Sequence, residues 1–80
     1  MTTYDHYDQA KQIAERIERE GFPEKAQNVR YAIENGKSGT EIFMQLRFYL
    51  SPLLDEERVD SFTKEKIGTL IEKINEALTR

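Results

Sequence analysis

Apolar residues recur every three or four positions through almost all of this chain, and the pattern breaks at Gly21, at Asn35-Gly36 and at Pro52. That spacing lines up side chains along one side of an α-helix, whereas a half-buried strand needs strict alternation. No run alternates over a full strand length. The pattern predicts an all-α fold, a compact bundle of about four helices over approximately 3–20, 23–35, 39–51 and 61–78. Short connections favour antiparallel neighbours, so the bundle is expected to be up-and-down or slightly irregular. The 80 residues are read as a single helical domain, 1–80. Chains of this size bury only about 60% of their unfolded surface, so the core is thin.

The helices are not equivalent. In the first, Tyr7, Ala10, Ile13, Ala14 and Ile17 share one side, and Gly21 is a natural stop. The second opens at Phe22-Pro23 and turns small residues inward: Ala26, Val29, Ala32 and Ile33. Proline suits a first helical turn, where its missing N–H would be unpaired in any case. Ser38 followed by Glu41 fits a capping box for the third helix, with Thr40 as an alternative cap. Its residues Ile42, Phe43, Leu46, Tyr49, Leu50 and Leu53 cover one wide arc, and Met44 and Phe48 lie opposite. Such a helix should sit at the centre of the bundle. Pro52 then ends or kinks it. Val59 and Phe62 are expected to dip back into the core. The last helix carries a clean stripe of Ile67, Leu70, Ile71, Ile74, Ala77 and Leu78, with Gly68 on its outer side.

Chemistry-bearing residues are sparse. His6 is the only histidine, and helical spacing puts Asp5 and Asp8 on other sides, so it reads as a surface residue near a frayed end. With no cysteine there is neither a disulfide nor a thiolate metal site, which favours a reducing, cytoplasmic setting. Ser38, Ser51 and Ser61 have no neighbouring base to activate them. Gly36-Lys37-Ser38-Gly39-Thr40 precedes a helix as a phosphate loop does, but position 31 is Tyr31 rather than glycine and no strand leads into it. No enzymatic activity and no cofactor or metal is expected.

A net charge of −3 argues against nucleic acid, although Lys37, Arg47, Arg58, Lys64 and Lys66 could gather into a small patch. Met1–Asp5 has no basic region followed by an apolar run, so no secretory leader is expected, and the apolar runs are too short to span a membrane. What is left is protein recognition. Tyr31, Met44 and Phe48 lie off the inner stripes; they either complete the core or form a partner surface rimmed by Arg47 and Gln45. Asp55, Glu56, Glu57 and Asp60 are either a solvated connection or an acidic docking loop for a basic partner. They lack the central glycine and ligand spacing of a calcium loop. The expected partner is another protein or a second copy of the chain.

The stretch Ala32-Ile33-Glu34-Asn35-Gly36-Lys37-Ser38-Gly39-Thr40-Glu41-Ile42-Phe43-Met44-Gln45-Leu46-Arg47-Phe48 resembles a segment of small, uncharacterised bacterial proteins. In those an acidic helix end leads through Gly and Ser/Thr-Gly-Thr/Ser-Glu-Ile into an apolar helix. The resemblance implies helicity and brings no catalytic or binding residue. In size, charge and helicity the chain also resembles the immunity proteins that neutralise bacterial toxins, which implies a non-enzymatic regulator or inhibitor.

Overall fold

Each break in the apolar pattern becomes a turn with its own chemistry. A computed structural model describes residues 3–79. Among them are four α-helices: α1 (His6–Arg19), α2 (Pro23–Asn35), α3 (Gly39–Leu50) and α4 (Ser61–Leu78). A short 3₁₀ turn, Ser51–Asp55, follows α3 directly.

α1 starts at His6, three residues later than the apolar pattern suggests. Asp5 stays extended and its carboxylate accepts the Asp8 N–H at 3.0 Å, which sets the first turn. At the other end the Phe22 N–H donates to the Ile17 carbonyl at 2.8 Å and the Gly21 N–H to Glu18 at 3.2 Å. This double bond pattern needs a left-handed residue just past the helix, and Gly21 supplies it with φ of 103°. Phe22 is thereby folded back onto the core. Pro23 then begins α2 without needing a side-chain cap.

Ser38, not Thr40, caps α3: its hydroxyl accepts the Glu41 N–H at 3.2 Å. Glu41 reaches back to the Lys37 N–H at 3.3 Å, one residue earlier than a standard capping box. Gly36 is required there by space. A Cβ at that position would run into Ile42 Cγ1 and would stand 2.8 Å from the Ala32 carbonyl oxygen. At the far end Pro52 withholds the N–H that the Phe48 carbonyl would take, so α3 ends and the chain tightens into the 3₁₀ turn. Ser51 Oγ donates to the Arg47 carbonyl at 2.7 Å and satisfies part of that end.

α1 packs on α2 and α4, and α3 packs on α2 and α4. The helices thus form a ring of four, with α1 running opposite to α4: His6 meets Lys73 and Arg16 meets Thr63. Ala10 and Ala14 of α1 meet a partner whose inner residues are also small, Ala26, Val29 and Ala32. Small side chains on both sides allow close approach. Ile13, Ile17, Leu46, Leu50, Ile67, Leu70 and Ile74 are fully buried in the centre. Leu53 and Val59 close the end of the bundle beneath the α3–α4 connection.

Phe62 does not join that core. Its neighbour Thr63 takes the inward position, and a helix turns about 100° per residue. The Phe62 ring lies 51% exposed between two cations, Arg16 at 4.7 Å and Lys66 at 5.3 Å from its centroid. Tyr7 is likewise at the rim of the inner face assigned to it, packed on Phe43 at 5.8 Å.

Two glycines are expected to respond in opposite ways to alanine. Gly36→Ala should cost about 1–3 kcal/mol through overpacking. Gly68→Ala should stabilise by about 0.5–1 kcal/mol, because Gly68 is within a helix and its Cβ would meet open space. Thermal melting of both variants checks this; a shift of about 4–8 °C per kcal/mol is expected for a domain of this size.

Candidate functional site

α3 turns Ile42, Leu46 and Leu50 into the bundle and thereby turns Met44 and Phe48 out of it. Phe48 is 74% exposed and Met44 51% exposed. They do not complete the core, because in a ring of four helices no further helix among the described residues lies over that side of α3. Phe48 makes one ring contact, edge-on with Tyr49 at 5.4 Å.

The other two residues of the expected surface behave differently. Tyr31 is 68% exposed but stands on α2, beside a shallow depression it shares with Gln27, Asn28, Arg30 and Glu34. Among the described residues no ring contact links it to Phe48. Arg47 points away toward α4, where its guanidinium donates to Asn75 Oδ1 at 2.7 Å. It ties α3 to α4 rather than rimming the exposed pair.

The acidic segment divides its carboxylates between two tasks. Glu56 pairs with Arg58 at 3.4 Å. Asp60 caps α4 by accepting the Phe62 N–H at 3.0 Å, and it lies 4.0 Å from Arg16. Asp55 and Glu57 are exposed and, among the described residues, take part in no ion pair.

A polar cluster not anticipated from the sequence joins the end of α1 to the start of α4. Thr63 is the one fully buried polar residue among those described. Its hydroxyl donates to Glu20 Oε2 at 2.6 Å and accepts from Arg16 Nε at 3.0 Å. The other Glu20 oxygen accepts the Asp60 N–H at 2.8 Å, so a residue from the end of α1 caps α4 across 40 positions. Only the pairing of these two helix ends reveals it. The one sequence signal was a threonine on the inner line of α4.

His6 is also not the surface residue it was expected to be. Its ring is half-buried, 4.8 Å from Phe43 and edge-on to Tyr4 at 5.2 Å. Its Nε2 lies 3.4 Å from the Lys73 carbonyl oxygen of α4. These rings seal the end of the bundle where α1 begins. Burial pushes the Tyr4 phenol above its ordinary value of 10.0.

Among the described residues no three His, Asp or Glu side chains converge as a metal site, and every buried side-chain polar atom is paired. The start of α3, which precedes a helix as a phosphate loop does, presents the Glu41 carboxylate, which accepts the Lys37 N–H, and the Ser38 hydroxyl takes the Glu41 N–H. Of the basic residues, Arg47 binds α4, Arg58 lies over Phe22 at 4.8 Å and Lys66 over Phe62, so these three are spread over different contacts. No helix is long and apolar enough to cross a membrane. No protein-family model, curated protein or solved structure matches the chain.

Thr63→Val preserves the shape of the buried site but removes both hydroxyl bonds and leaves two charged partners short. It is expected to cost about 1–3 kcal/mol in urea unfolding, against a change within about 0.5 kcal/mol for the exposed Thr69→Val. Tyr4 gives a second expectation. A phenol whose value is raised on folding favours the neutral form, so its contribution is complete below pH 10 and lost as pH rises through the raised value. Unfolding curves between pH 9 and 11.5 should show stability falling with pH, and Tyr4→Phe should flatten that fall.

Proposed function

We propose that this chain is a non-enzymatic protein-binding module whose contact surface is the outward side of α3. A regulator or an inhibitor of the immunity type fits that description. The observation behind it is Phe48, a large aromatic side chain 74% exposed on a helix whose opposite side builds the core. Exposed aromatic and methionine side chains are enriched where proteins meet. A helix that served only the bundle would gain solubility from a polar residue there.

Other readings have less behind them. Acyl or phosphoryl transfer needs a nucleophile with an adjacent base, or a cradle of donors. Ser38 and Ser51 are occupied with capping and turn bonds, and Ser61 has no histidine base beside it in sequence. Nucleic-acid binding needs a basic stripe, and the cations here are dispersed over acidic neighbours.

The test is a comparison of the wild-type chain with Met44→Asp/Phe48→Asp as baits in lysate of the native host, together with light scattering over a range of concentration. Both changes fall on exposed positions, so folding stability should shift by about 0.5 kcal/mol or less for each. The wild type is expected to retain a partner that the double variant loses. A wild-type mass that rises with concentration, and does not rise in the variant, would instead assign the surface to a second copy. A strictly monomeric wild type that retains nothing overturns the proposal.

A further inference from the structure

We infer that the partner of this surface is a basic amphipathic helix, an inference that rests on the protein-binding reading above. The exposed apolar pair does not end with α3. Met44 and Phe48 are four residues apart, and Pro52, four further on, is exposed as well. With the exposed Leu54, Asp55 and Glu57 that follow, they form the proposed ridge, apolar along α3 and acidic after the 3₁₀ turn. By the rises of the two helix types its length is about 20 Å, which about 13 residues of a partner helix would match.

Charge decides the chemistry of that partner. Asp55 and Glu57 are exposed and unpaired among the described residues. Three cations have contacts of their own elsewhere. Arg47 is held by Asn75 on α4, Lys25 lies over the Tyr49 ring at 6.0 Å, and Arg58 is paired with Glu56. The ridge therefore has an apolar middle and one uncompensated acidic end. An apolar helix face with lysine or arginine toward one end complements both parts. A second copy paired antiparallel along the same ridge would bring Lys37 to that end, one turn from its own Glu41.

The test uses the full chain, ¹⁵N-labelled, and two synthetic 18-residue helical peptides. One has a leucine face and lysines elsewhere; the other has the same leucine face and glutamates. The lysine peptide is expected to bind with amide shifts concentrated between Met44 and Glu57. A contact this narrow is at the small end of specific interfaces, so micromolar affinity is expected. Phe48→Ala should weaken it by about tenfold or more. Asp55→Asn/Glu57→Gln, or a rise in salt from about 50 to 500 mM, should weaken it by about threefold or more. Tyr31→Ala should leave it unchanged, and all variants should melt as the wild type does.

If the glutamate peptide binds equally well on the ridge, the charge inference is overturned and the protein-binding reading stands. Shifts centred elsewhere, or no binding of either peptide, also overturn the inference, while the lysate comparison judges the broader proposal separately. A dimer seen by sedimentation equilibrium and abolished by Phe48→Ala would assign the ridge to a second copy and overturn it as well.

Discussion

Each helix in a ring of four touches two neighbours, so a strip of every helix faces away from the bundle. For α1, α2 and α4 that strip is mostly polar. For α3 it is not, because apolar side chains surround this helix on nearly every side. Leu46 and Leu50 are fully buried and hold α3 against α2 and α4. Their burial fixes the rotation of the helix, and that rotation sends Met44 and Phe48 outward. The candidate surface is thus a geometric consequence of the core.

The two ends of the bundle are held by different physics. Where α1 begins, His6, Tyr4, Tyr7 and Phe43 pack their rings together. Where α1 ends, Glu20, Arg16 and Thr63 lock it to the start of α4 through hydrogen bonds. A buried hydroxyl with both partners in place costs little, whereas a half-satisfied one would be expensive. The polar end therefore restricts how α4 can dock, since a rotation that removed Thr63 from Glu20 would strand charged groups. This gives a thin core a more definite geometry than its apolar contacts alone would supply.

Cation–aromatic contacts account for much of what the sequence left ambiguous. Phe62, Phe22, Tyr49 and Tyr4 each lie beneath a lysine or arginine. These cations cover aromatic surface that would otherwise face water. Around the 3₁₀ turn the exposed carboxylates of Asp55 and Glu57 take part in no ion pair among the described residues.

The helical periodicity by itself determined the number of helices, their order and nearly all the inward residues. Capping and turn chemistry set the breaks at Gly21, Ser38 and Pro52, because those signals act within a few residues. What the sequence left open needed partners distant in the chain. Whether Phe48 was core or surface depended on where a fourth helix lay. The exposure of Phe62 depended on Thr63 taking the inner position opposite Glu20. The separation of Tyr31 from Met44, and the turn of Arg47 toward Asn75, depended on which sides of α2 and α3 meet. A helical wheel fixes angles within one helix, but only packing fixes the angle between two, and the candidate surface is defined by that second angle.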